Sequence, residues 1–245
     1  MMSKIFPWKT LMWVTIFATA MGFLETSVVV YLRALLYPHG FTFPFVSIPP
    51  TLAVTEILRE AATMIMLLGA AVLAGRNATT RFAWFLYAFA IWDIFYYVFL
   101  KLLLNWPESW MTWDILFLIP LAWIGPVISP VIISITMIIF AAMIIHFDAH
   151  HAHKTNIKLN FKELTLLVAG SVILIVAFTW DYGAFILEHY RLSAVFAVPS
   201  ADLMALSFQY IPRTFNWILF WLAEIIILGG IGMFWKRMKK VLSTK

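Results

Sequence analysis

Six long apolar stretches, at roughly 11–32, 51–75, 82–104, 125–146, 163–186 and 213–235, constrain this chain of 245 residues more than anything else in it. Each reaches the ~20 residues a helix needs to cross ~30 Å of hydrocarbon. A backbone in lipid has to satisfy its own polar groups, so the spanning form these stretches predict is the α-helix. The expected fold class is all-α: a polytopic transmembrane bundle of six spans, with 1–245 forming a single integral membrane domain. Composition agrees, since 63% of the residues are hydrophobic and 12% charged, against roughly a quarter charged in a soluble domain. No composition break, linker or internal repeat divides the chain.

Orientation follows from the basic residues, which concentrate on the cytoplasmic side of membrane proteins. With the N-terminus inside, twelve of the seventeen Lys and Arg residues fall inside, among them Lys9, Arg76, Lys158 and the tail Lys236-Arg237-Met238-Lys239-Lys240. Both termini are therefore expected in the cytoplasm and the protein in the cytoplasmic (cell) membrane. Lys4 and Lys9 ahead of Ala18-Thr19-Ala20 resemble a cleavable leader, but hydrophobicity runs on through Val28-Val29-Val30 and predicts an uncleaved first helix. The net charge of +5 comes mainly from the inner face and this tail, which suits anionic lipid headgroups and gives no indication of nucleic-acid binding. There are no cysteines, so neither disulfide nor thiolate-metal chemistry enters.

The outer connections, roughly 33–50, 105–124 and 187–212, are long, aromatic and proline-rich. Proline fixes φ and removes a donor, so these are shaped loops rather than helix extensions. Within them, 113–124 is too short to span and too apolar for open water, and it predicts an interfacial or re-entrant element. Trp106, Trp110, Trp113 and Trp123 crowd the same loop, as an aromatic belt would.

Ionisable residues inside the spans are costly and mark candidate function. Glu56, Arg59 and Glu60 lie at i, i+3 and i+4 on the second span, on one helical face. Asp93, Tyr97 and Lys101 form a second stripe on the third, with Tyr96 beside it. Glu25 on the first span, Asp181 on the fifth and Glu224 on the sixth complete the set. Apart from Glu224 near the middle, these occupy outer halves, whereas 11–21, 64–75, 82–92, 164–178 and 225–235 contain no ionisable side chain. A channel or carrier needs polar lining on both sides, so the asymmetry points to a region opening outward only. Acids outnumber the single base, Arg59, well inside the spans, so some are protonated, hydrated or matched by a cation.

Several readings follow. The set is an ion-pair network fixing helix register; or Glu56, Glu60 and Asp93 act as acid and base, with Glu25, Arg59, Tyr97, Lys101 and Asp181 binding substrate; or carboxylates hold a hard cation, although no Glu-x-x-His pair accompanies them. The expected function is an outward-opening acidic, aromatic-walled intramembrane pocket that binds or modifies an amphiphilic, lipid-like substrate. The alternatives are a non-catalytic membrane subunit docking a partner protein and a proton- or cation-coupled carrier. The sequence names no cofactor. His146, His150, His151 and His153 read as a solvated inner loop. The recurring pairs Trp92-Asp93, Trp113-Asp114 and Trp180-Asp181 would set an indole donor beside each carboxylate. Gly69, Gly75, Gly229, Gly230 and Gly232, with Ala70 and Ala74, are expected to let helices approach closely.

Overall fold

The structure, a computed structural model, describes residues 6–119, 121–151, 157–191 and 205–243. Six helices carry it: α1 (Trp8–Leu36), α2 (Pro50–Ala74), α3 (Ala78–Leu104), α4 (Ile128–His151), α5 (Phe161–Leu187) and α6 (Trp217–Ser243). All six are long and apolar enough to cross a membrane. Their outward faces are apolar as well: Leu73 on α2 is 90% exposed and Ile218 on α6 is 82% exposed, the reverse of a soluble helix. Lipid is the medium such faces match.

Helix starts follow local chemistry. Pro50 opens α2 at a position where its missing N–H costs nothing. Asn77 and Asn160 cap α3 and α5, each accepting from the backbone N–H three residues on, Thr80 at 2.9 Å and Glu163 at 2.8 Å. Asn105 ends α3 in the left-handed region at φ 52°, where Asn is better tolerated than most residues.

The helices form two groups. α3 is central to the first, packed along α1, α2 and α4, while α5 and α6 pair with each other. α1 runs parallel to α3, with the Thr15 hydroxyl on Tyr87 and the Thr26 hydroxyl donating to the Tyr96 carbonyl. Gly22 makes that approach possible, because a Cβ there would stand 2.9 Å from the Trp92 carbonyl oxygen. In the α5/α6 pair the same role falls to Gly170, whose Cβ would meet Ile227 at 2.5 Å and the Ala223 carbonyl at 3.0 Å. The small residues anticipated from sequence divide: Gly75 and Gly230 are in tight contact, while Gly69, Gly229 and Gly232 face open space.

The segment expected as an interfacial or re-entrant element is a β-hairpin, so the fold is mostly helical with a small sheet. β1 (Trp113–Phe117) pairs antiparallel with β2 (Trp123–Pro126), Asp114 opposite Gly125 and Ile115 opposite Ile124, with an irregularity before Phe117. It lies between the helix groups. On one side Trp123 stacks on Phe178 of α5 at 5.9 Å between ring centroids. On the other, the Leu118 N–H donates to both carboxylate oxygens of Glu60 on α2, at 3.0 and 2.9 Å. Glu60 is ten residues past Pro50, so the hairpin reaches roughly 15 Å down α2 at 1.5 Å per residue. Around it Phe43, Phe45, Tyr182 and Tyr210 complete an aromatic cap.

Opposite the hairpin end, ion pairs tie the connections together. Arg237 of α6 donates to Glu163 of α5 through Nε at 2.7 Å and Nη2 at 2.8 Å, and to the Lys158 carbonyl at 2.7 Å. Arg76 donates to Asp148 of α4.

Candidate functional site

The candidate residues assemble at the hairpin end of α1, α2 and α3. Arg59 is the hub of the first group: its Nε donates to Glu56 Oε2 at 2.8 Å, its Nη1 donates to Glu25, and the Thr63 hydroxyl reaches Glu25 Oε2 at 3.4 Å. The three charged side chains are largely shielded, so the contacts are stronger than surface pairs. One turn on, Glu60 turns its carboxylate to the hairpin amide already described.

Asp114 organises the second group from β1. It accepts from the Tyr97 hydroxyl at 3.1 Å and lies 3.8 Å from Arg33 Nη2. The Arg33 guanidinium in turn sits 3.8 Å from the Trp106 ring centroid and 4.8 Å from that of Phe41, which replaces part of the hydration it loses on burial. Burial pushes the Asp114 carboxyl up to about 6, against the opposing pull of Arg33 and the Tyr97 hydroxyl. Neither Asp114 nor Arg33 was among the expected site residues. Arg33 follows Glu25 by eight residues on α1, which was the signal available for it, while Asp114 lies in an element whose burial only the tertiary fold reveals.

The two groups form one electrostatic neighbourhood. The charges of Asp114, Arg33, Glu25 and Arg59 all act on Tyr96, and that of Asp114 acts on Asp93. Asp93 accepts from the Ser134 hydroxyl of α4 at 2.8 Å. Five carboxyl groups (Glu25, Glu56, Glu60, Asp93 and Asp114) thus share this region with two guanidiniums, Arg33 and Arg59. Beneath lie Ala18, Leu67, Ala71 and Ala88, all fully buried.

Other candidates are elsewhere. Lys101 is exposed and donates to the carbonyls of Asn105 and Pro107, at 3.3 and 2.9 Å, closing the end of its own helix. Asp181 accepts from the Tyr210 hydroxyl at 2.7 Å and the Arg213 N–H at 3.0 Å, fastening the segment before α6 to α5. Burial and the adjacent Asp181 push the Tyr210 hydroxyl well above its ordinary range. Glu224 takes a hydrogen bond from Thr136 at 3.0 Å, while its other oxygen, like the Trp92 indole N–H, has no partner. The Trp-Asp pairs do not place an indole donor on the neighbouring carboxylate: Trp92 is unbonded and Trp180 is 56% exposed. The His146 and His150 rings lie 4.3 Å apart, tilted by 32°, and among the described residues no three His, Asp or Glu side chains converge as metal ligands.

Helices, apolar outer faces and a hairpin held by polar contacts define the class: the chain fits a multi-pass integral membrane protein. No protein-family model, curated protein or solved structure matches it.

Proposed function

We propose that this is a cytoplasmic-membrane protein, with both termini in the cytoplasm, whose acidic region lies in the outer leaflet and binds the cationic head of an amphiphilic, lipid-like molecule. The surplus of three carboxyl groups over guanidiniums at the hairpin end of α1, α2 and α3 carries the reading. At about 2.5–3.5 kcal/mol for a charge in mid-bilayer, such a surplus is relieved by a cationic ligand or by proton uptake. In this reading Glu25, Glu56 and Arg59 meet the ligand from α1 and α2, and Asp93 and Tyr97 meet it from α3. Since Glu56 and Glu60 are already engaged by Arg59 and Leu118, binding is better supported than acid–base catalysis, for which Asp93 is the freest candidate. The buried apolar floor speaks for access from one leaflet and against a carrier.

The test is a comparison of alkylammonium, alkyl sulfate and alkyl maltoside probes of equal chain length on the purified protein. Binding should favour the alkylammonium, and Asp93→Asn and Glu56→Gln should weaken it. Equal affinity for all three would overturn the proposal. Trp110 and Met111, 61% and 55% exposed on the loop before β1, favour a second reading, a subunit docking a partner there. Altering that loop would then abolish co-purification of the partner and leave probe binding intact.

A further inference from the structure

A cleft of about 380 Å³ opens at the end of the bundle away from the hairpin, between the start of α3 and the segment entering α5. Its lining is two-sided. Phe82, Leu159 and Leu164 make an apolar wall, and Asn77, Thr79 and Lys158 stand along it. Phe82 and Leu164 belong to helix faces that meet lipid, being 37% and 48% exposed, so the cleft is continuous with the bilayer.

Charge selects the occupant. Lys9, Arg76, Arg81, Lys158, Lys162 and, from the C-terminal tail, Arg237 share this end with Asp148 and Glu163, the acids found there among the described residues. Both acids are already engaged, Asp148 by Arg76 and Glu163 by Arg237. Lys158 makes no ion pair among the described residues, and Arg237, held on the Lys158 carbonyl at 2.7 Å, fixes the backbone that presents it. The Asn77 side-chain oxygen is committed to capping α3, which leaves its NH₂ as a donor.

We infer that this cleft seats an anionic phospholipid, its phosphodiester at Lys158 with Asn77 and Thr79 beside it and one acyl chain along Phe82 and Leu164. The site is independent of the acidic region at the other end. Native mass spectrometry of the purified full chain, with phosphatidylglycerol and phosphatidylcholine of identical chains, tests it. Phosphatidylglycerol should be retained as a single bound lipid with about five-fold preference, the effect of one basic residue at a membrane surface. Lys158→Gln should abolish the preference without moving the thermal transition, and Lys158→Arg should restore it. A preference that survives Lys158→Gln overturns the inference. So does one that disappears only when Lys236, Lys239 and Lys240 are replaced together by Gln. Displacement of the lipid by soluble glycerol 3-phosphate would assign the site to free phosphate and equally overturn it.

Discussion

Replacing Glu60 tests how an irregular hairpin survives among membrane helices. Non-helical backbone at membrane depth is tolerated only where protein or water satisfies its polar groups. The Leu118 N–H, at the end of β1, finds its acceptor in the Glu60 carboxylate at 2.9–3.0 Å. Glu60→Leu keeps the volume and leaves that N–H orphaned, a loss of about 1–3 kcal/mol. Local opening of the hairpin should therefore rise by between about five-fold and about a hundred-fold. Glu60→Gln retains a carbonyl acceptor and should lose less than half as much. Hydrogen exchange of peptides covering 113–124, in lipid nanodiscs, reads this directly. Unchanged exchange in Glu60→Leu would refute the anchoring role, and a large loss in Glu60→Gln would show that charge rather than acceptor geometry holds the hairpin. Retained protection in Glu60→Gln together with lost probe binding would move Glu60 from the scaffold to the site.

At the other end, Arg237→Gln leaves the fully buried Glu163 carboxylate with only the two N–H donors of Asn160 and should cost about 3 kcal/mol, the low end for breaking a buried pair, measured by thermal unfolding; Glu163→Gln should cost less, since the partly exposed Arg237 regains solvent. Gly170→Ala forces a methyl onto Ile227 and the Ala223 carbonyl and should cost about 1–3 kcal/mol, whereas Gly229→Ala, in open space, should stay within about 0.5 kcal/mol of the wild type. Asp114 gives a pH signature. With its folded value at about 6 above the ~3.9 of an unfolded chain, the native state binds more protons between those limits, so Asp114 makes stability fall as pH rises from about 4 to about 6, with no further change above. The stabilisation on going from pH 7 to pH 5 should accordingly be larger in the wild type than in Asp114→Asn, and equal pH slopes would refute the assignment.

What the sequence conveyed depended on range. The six spans were legible because twenty apolar residues in a row leave a backbone few alternatives, and the observed helices extend those stretches by a few residues at most ends, as with Phe161–Leu187 against 163–186. The Glu56–Arg59 contact was legible for the same local reason, being three residues apart on one helix. The hairpin was not, because alternation in Trp113–Phe117 is masked when both faces are packed: Asp114, the one polar side chain, is buried against Tyr97 and Arg33. The close helix approaches were legible only in part, because a glycine shows what it lacks and not what it faces: Gly230 packs on α5 as expected, Gly22 and Gly170 touch backbone unannounced, and Gly69 and Gly232 touch nothing.

The same distinction separates support from function in the polar set. Asp181, Glu163 and Asp148 each fasten one segment to another, and removing their partners should act on folding alone. Around Tyr96 the acids have structural partners too, but the count does not balance: the hydroxyls of Ser134, Tyr97 and Thr63 and the Leu118 amide supply dipoles, not charge. Dipoles orient a carboxylate without neutralising it. At Asp93 and Glu60, which bond only to neutral donors, Asn and Gln would retain an acceptor without the cost of placing charge in a bilayer. That acids stand here is the ground of the proposal above, and the alkylammonium comparison separates a bound cation from simple proton uptake.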